Sequence, residues 1–299
     1  CSSGKSQVGK IMDSPRFRTL WISDVHLGFK ECKAEFLLDF LRQSDCERLY
    51  LVGDLIDFWS LRKGGRWPAV HGEVLKLILA KARAGTRVIY VPGNHDEVAR
   101  DYFGLRVGDI AIVPEAIHVT ADGRRFLVTH GDECDSAVRC GGPLLHGLGD
   151  GAYDLLLFLN RWYNRWRRRW NHPYWSLASF LKQRIGGAAA YIARFEAAAA
   201  HEAARRGLDG VICGHIHHAA LRELNGVLYG NDGDWVESCT ALVEYPDGAL
   251  EILRWSHQQA VVAVREPRRW PEPPPVPGWV AGVSSNAAFD GTVCRSGAG

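Results

Sequence analysis

The chain has 299 residues, 46% of them hydrophobic and 23% charged, with a formal net charge of +2. That apolar content is enough for a packed core and excludes disorder across the whole chain. No run approaches the ~18 uninterrupted apolar residues of a spanning helix, and the near-neutral charge provides no global field for nucleic acid.

Arg18–Ser23 (RTLWIS) predicts a buried strand, followed by loop chemistry from Asp24. Glu35–Arg42 has helical spacing, Arg48–Val52 is a second strand and Glu73–Ala84 a strong helix. Arg87–Val91 is a third strand, halted by Pro92-Gly93. Ala116–Thr120 and Arg125–Thr129 form a hairpin around Asp122-Gly123. Helical patterns dominate from Asp150 to Arg206, ending in the Ala-rich stretch Ala188–Arg206, whose small side chains permit close packing. Strand signals return at Gly210–Cys213, Leu221–Leu224, Val227–Tyr229, Cys239–Glu244 and Ala249–Leu253, with Asn225-Gly226 and Asp247-Gly248 as turns.

The expected organisation is an extra or disordered segment at 1–15, one mixed α and β domain at 16–265 with a helical insertion at about 143–207, and a Pro-rich flexible tail at 266–299. At the start, either Met12 is the natural first residue and 1–11 are extra, or Cys1 is a lipid-modified terminus. Gly4-x4-Gly9-Lys10 resembles a phosphate loop, but Ile11 replaces the required Ser or Thr and no strand precedes it. The eight cysteines form no CxxC pair and read as free thiols of a reducing compartment.

Five short motifs share one grammar, an apolar strand ending in Gly, Asp, Asn or His. They are Asp24-Val25-His26, Gly53-Asp54-Leu55-Ile56-Asp57, Gly93-Asn94-His95-Asp96, His130-Gly131-Asp132 and Gly214-His215-Ile216-His217. Carboxylates and imidazoles bind hard and borderline divalent metals. Strand ends gather at one sheet edge, so ligands distant in sequence converge there. A single His after a strand is usually packed or solvated, and a single Gly-Asp is a turn; five together are hard to explain as turns.

This grammar resembles that of the calcineurin-like metallophosphoesterases, over roughly Arg18 to Trp255 and with the motifs in the family's order. The resemblance implies an α+β fold, a four-layer αββα arrangement in which a β-sandwich is flanked by helices. It implies a dinuclear site in which Asp24, His26 and His217 hold one metal, Asn94, His130 and His215 the other, and Asp54 bridges them. Two cations ~3.5–4 Å apart clamp a phosphoryl group and acidify a water, whose hydroxide attacks phosphorus in line. Asp54, Asn94 and His95 are then the catalytic set, with His95 on the phosphate and protonating the leaving oxygen. Asp57 and Asp96 orient His95 or ligand imidazoles, and Asp132 is either such a group or a turn residue. Mn²⁺ is the expected metal, with Fe and Zn as alternatives.

Within that superfamily the layout is similar to the UDP-2,3-diacylglucosamine diphosphatases of lipid A biosynthesis. The Asp24–Gly28 opening, the Gly53–Trp59 segment and the insertion between His130 and Gly214 carry the likeness. It implies release of UMP and 2,3-diacylglucosamine 1-phosphate, at the cytoplasmic face of the inner membrane. One departure is His95, where those enzymes carry Arg. Another phosphodiester, a nucleotide or a phosphoprotein is the alternative substrate, and a non-catalytic scaffold the third reading. In the insertion, Arg161, Arg165 and Arg167–Arg169 accompany Trp162, Trp166 and Trp170 at helical spacing. A core-packed helix, a membrane-surface helix and a polyphosphate contact are all open. Arg161, Arg165 and Trp166 are candidate substrate contacts there, as are Trp59 and Arg62. Asn231–Trp235 mimics part of a calcium loop without its later Glu and is read as the rim of the site.

Overall fold

The computed structural model describes residues 16–134, 186–256 and 259–265. Expectations for 1–15, most of the insertion with Arg161, Arg165 and Trp166, and the Pro-rich segment lie outside the described residues.

Two sheets organise the chain. The first strands are β1 (Arg16–Ile22), β2 (Asp45–Val52), β3 (Arg87–Val91), β4 (Arg106–Val107) and β5 (Ile110–Ile112). They are followed by β6 (Ala116–Val119), β7 (Arg125–Val128), β8 (Gly210–Cys213), β9 (Ala220–Leu224) and β10 (Val227–Asn231). The last are β11 (Thr240–Glu244), β12 (Leu250–Ser256) and β13 (Gln259–Arg265). An eight-stranded sheet runs β13-β12-β11-β1-β2-β3-β5-β4 and a five-stranded sheet β6-β7-β8-β10-β9. β1, β2, β3 and β5 are mutually parallel, as are β7, β8 and β10. Parallel strands covered on both faces read as continuous apolar runs, which is why RTLWI and RLYLV were legible.

The pleat then sorts each run. Leu20 and Ile22 of β1, with Leu49 and Leu51 of β2, face α1 (Ala34–Gln43) and α3 (Ala69–Arg83) in one core. Trp21 and Tyr50 point the other way, stack on one another at 5.7 Å, and meet the edge of His118 on β6. The two sheets therefore face each other. Between them, His118 Nε2 lies 3.0 Å from Glu244 Oε2, Thr19 Oγ1 donates to the same oxygen at 2.6 Å, and Arg18 pairs with Glu244. Such a buried network fixes registration more than it adds stability. On the outer face of the small sheet, α4 (Gly186–Arg205) buries Phe195, Ala199, Ala200 and Ala203 against Val211 and Tyr229. The order of layers is helix, sheet, sheet, helix.

Three elements carry no strong sequence signal. α2 (Phe58–Arg62) has five residues, too few for a helical period, and is set by Asp57, which accepts the Ser60 amide as its N-cap. β4 and β5 have two and three residues; β5 exists through pairing with β3, and β4 through pairing with β5. The described cysteines Cys32, Cys46, Cys134, Cys213 and Cys239 are free thiols. Among the described residues no helix is long and apolar enough to cross a membrane.

Candidate metal centre

The carboxyl ends of β1, β2 and β3 lie side by side, and β7 and β8 end at the same edge of the facing sheet. Open parallel sheets place ligands at such ends. Asp24 and His26 follow β1, Asp54 follows β2, Asn94 and His95 follow β3, His130 follows β7, and His215 and His217 follow β8. Seven described non-glycine residues have positive φ. Five of them are Asp24 (49°), His26 (54°), Asp54 (51°), His215 (69°) and His217 (51°). Each such conformation costs ~1–3 kcal/mol and persists only where the surroundings over-determine it, which is typical of functional sites.

The side chains converge. His217 Nε2 lies 3.1 Å from Asp24 Oδ1 and 3.3 Å from His26 Nε2. Asp54 Oδ2 sits between His26 Nε2 at 3.8 Å and His130 Nε2 at 3.5 Å. His130 Nε2 is 3.3 Å from Asn94 Oδ1. His215 stands edge-on to His130, with 5.2 Å between ring centres, and its amide donates to Asp24 Oδ2 at 2.9 Å. Asp24/His26/His217, His26/Asp54/His95 and Asp24/Asp54/His130 each offer donor atoms within 4.8 Å of one another. This donor set of carboxylate oxygens and imidazole nitrogens fits divalent metal ions.

The imidazoles are pre-oriented. His130 Nδ1–H donates to the Val52 carbonyl at 3.0 Å, which turns Nε2 toward Asp54. Asp57 Oδ2 lies 3.3 Å from His26 Nδ1, and Asp57 Oδ1 lies 3.2 Å from His95 Nδ1. Asp57 thus contacts two imidazoles. Burial pushes its carboxyl up, but the bonds from His26, His95 and Ser60 more than offset this and hold it well below the usual range. Asp96 departs from the expectation. It contacts no imidazole in this arrangement; instead it accepts the amides of Leu55 at 2.7 Å and Gly93 at 2.6 Å, and the Tyr90 hydroxyl. Its work is to hold the Asp54 loop against the Asn94 loop. A carboxylate that can reach five donors satisfies backbone first.

Asn94 and His95 are consecutive, and their side chains diverge. Asn94 turns to His130, while His95 lies across His26 with ring centres 4.6 Å apart. The His95 amide donates to Asp54 Oδ1 at 2.8 Å, and Trp59 covers the ring at 4.1 Å. Trp59 is exposed at the mouth; Arg62 lies exposed at the end of α2. His218 turns toward Glu196 of α4, at 3.9 Å. Asp132 accepts Arg100 on both oxygens, at 2.9 and 2.8 Å, and so ties the His130 loop to the helical turn after His95.

Two glycines are required by close approach. A Cβ on Gly93 would lie 2.3 Å from Asp54 Oδ1, and one on Gly214 would lie 2.4 Å from Asp24 Oδ2. At these two positions glycine supplies room.

Sequence reasoning missed the layer behind the site. Ser23 Oγ lies 2.6 Å from both Asp24 Oδ2 and Asp232 Oδ1. One hydroxyl has one proton to give. Burial pushes the Asp232 carboxyl well above the usual carboxylate range, which favours the form that can supply a second. Asn231 Nδ2 donates to the Gly214 carbonyl at 2.7 Å. The Asn231–Trp235 stretch is therefore a buried backing, with Asp232 and Asp234 fully buried, and not a rim. The only sequence cue was that it follows a strand.

Charge is balanced by proton at present. Burial pushes Asp24 up, yet the His217 charge and hydrogen bond more than offset it, leaving the carboxyl at about 2. Burial favours neutral His130, but Asp54 and Asp24 raise it to about 10. A metal needs the neutral ring. Below pH 10, uptake by chelator-treated protein is therefore expected to release about one proton from His130, and apparent affinity to rise with pH. Calorimetry in two buffers of different ionisation enthalpy checks this; equal heats would show the ring already neutral.

A family model described as calcineurin-like phosphoesterase matches residues 17–219. The chain is 28% identical over 263 residues to a UDP-2,3-diacylglucosamine hydrolase of Xanthomonas campestris pv. campestris, covering 79% of this chain and 98% of that protein. A protein of the same name from Aeromonas hydrophila is 30% identical over 118 residues, 38% of this chain and 47% of the relative. Among solved structures, the E. coli phosphoesterase YfcE aligns with a TM-score of 0.43 and 15% identity, over 81% of this chain and 96% of that one. The family match spans most of the sequence and every motif but the last residues behind the sheet: the chain belongs to the calcineurin-like phosphoesterases, metal-dependent hydrolases of phosphoesters.

Proposed function

We propose that this chain hydrolyses UDP-2,3-diacylglucosamine to UMP and 2,3-diacylglucosamine 1-phosphate. The observation that carries the reading is the similarity, over 98% of its length, to a hydrolase named for that substrate. Asp24, His26 and His217 would hold one divalent ion, Asn94, His130 and His215 a second, and Asp54 would lie between them; mixed oxygen and nitrogen donors suit Mn²⁺. Two such ions supply positive charge at a phosphoryl group and an acidified water. The chain's own residues do the rest. Asp57 orients His26 and His95, and His95 gives a proton to the leaving oxygen. Trp59 offers an exposed ring beside His95 for substrate. Arg161, Arg165 and Trp166, within the insertion at 143–207 of a domain spanning 16–265, are proposed contacts for the lipid or the membrane surface. The site of action would be the cytoplasmic face of the inner membrane.

A second reading, the same chemistry on another phosphodiester, is favoured by one feature. His95 stands where the lipid A diphosphatases carry Arg. Purified UDP-2,3-diacylglucosamine with Mn²⁺, and with chelator, is the test, beside bis-p-nitrophenyl phosphate. Mn²⁺-dependent UMP release with little generic cleavage is expected. Generic cleavage without UMP would overturn the lipid substrate and keep the hydrolase.

A further inference from the structure

A cavity of about 430 Å³ lies between the starts of α1 and α3, lined on one side by Phe29 and Lys30. Its volume is within the range of small-molecule sites. Lys30, Lys33 and Arg66 line it with one carboxylate, Glu35, so three cations face one anion. Phe29, Phe36 and Val70 provide its apolar wall.

Both helices begin at this cavity without a side-chain cap. The residue before α1 is Lys33, whose ammonium cannot accept a hydrogen bond, and the residue before α3 is Pro68. Helix starts carry free amides and about half a positive charge each, and favour anions. A buried imidazole also lines the cavity. His71, only 3% exposed, accepts the Gly28 amide on Nδ1 at 2.9 Å. That bond leaves Nε2 as the protonated nitrogen of a neutral ring. Among the lining residues, two helix starts and three cationic side chains gather around one carboxylate, Glu35; the Lys33 ammonium also donates to the carbonyl of the buried Glu31 at 3.0 Å.

We propose that this cavity is a second anion site, separate from the metal centre, that binds a phosphate monoester with an apolar or aromatic body. Lys30, Lys33 and Arg66 take the phosphate, with the helix starts and His71, and Phe29 and Phe36 take the body. Arg and Lys recognise phosphate through charge-assisted bonds. The site adjoins the loop that carries His26. Phe29 is 6.5 Å from the His26 ring, centre to centre, and the Gly28 amide bonded to His71 is two residues beyond His26. Soluble phosphate esters and lipid phosphate headgroups share this chemistry.

The test uses the full chain after metal removal, so that phosphate has no metal ion to meet at the strand ends. Phenyl phosphate is titrated by calorimetry, beside inorganic phosphate and dihexanoyl phosphatidic acid. Saturable, salt-sensitive binding of phenyl phosphate is expected. It should weaken at least about tenfold in Lys30→Glu/Arg66→Glu, which removes two charge-assisted contacts, each alone worth about that much. Both positions are exposed, and an unchanged circular dichroism spectrum confirms the fold. Tighter binding of the phosphatidic acid assigns the site to a lipid headgroup, and the reverse order to a soluble ester. Absence of saturable binding, or equal binding by the double variant, overturns the site. Equal affinity for inorganic and phenyl phosphate overturns the apolar half.

Discussion

Asp54→Ala is expected to abolish turnover and to strip bound metal, with a loss of at least about a thousandfold, the upper end for removing one preorganised charge at a reacting centre. The position explains the size. Asp54 Oδ2 lies between His26 and His130, which belong to opposite halves of the cluster, and Oδ1 accepts the His95 amide. Burial pushes its carboxyl up, but His130, His26 and His95 more than reverse this and hold it far below the usual range. Its charge is thus the one that all three imidazoles share. Without it, the rings of His26, His130 and His95 face one another with less negative charge to hold cations beside them. Metal content by mass spectrometry, measured with hydrolysis of a generic diester, separates the outcomes. Full activity in this variant would sink the dinuclear mechanism. Retained metal with lost activity would place Asp54 in chemistry and not in metal holding.

The parts of the site that were legible share one property: they sit directly after an apolar strand. RTLWI, RLYLV and RVIYV announce buried parallel strands, and the residue after each strand falls at the shared edge whatever the details of packing. Asp24, Asp54, Asn94 and His130 needed nothing more. Roles set by a turn of backbone were harder. Asp96 reads like another acid in a ligand motif, yet the turn that starts at Gly93 points it at amides. Asp232 was hidden because its partner Ser23 lies 209 positions earlier, and no local pattern encodes a contact that distant. Arg100 was hidden for the same reason. Its bond to Asp132 joins two motifs that each look complete alone. The α2 turn is too short for periodicity, so the stacking of Trp59 on His95 could only be seen in three dimensions. Local order comes from pattern; the orientation of the second layer comes from tertiary contacts between motifs.

His95→Ala is expected to slow turnover by roughly 10²–10⁴-fold, the contribution of a positioned general acid, while metal content stays near wild type. The geometry supplies the reason and also the challenge to it. Asp57 Oδ1 lies 3.2 Å from His95 Nδ1, which turns the other nitrogen away from Asp57. Trp59 packs on one side, and the ring keeps access to the mouth. This arrangement suits the proposed role of an acid for the leaving oxygen. Yet His26, Asp54 and His95 also offer donor atoms within 4.8 Å, so the same ring is within reach of a metal. The two roles differ in what they predict. An acid matters most for a poor leaving group, so His95→Ala should hurt an alkyl phosphodiester far more than a p-nitrophenyl ester, whose phenolate leaves unaided. A ligand matters equally for both and takes metal with it when removed. Parallel rate losses with a fall in metal content would make His95 a ligand, and unequal losses at full metal content would make it the acid.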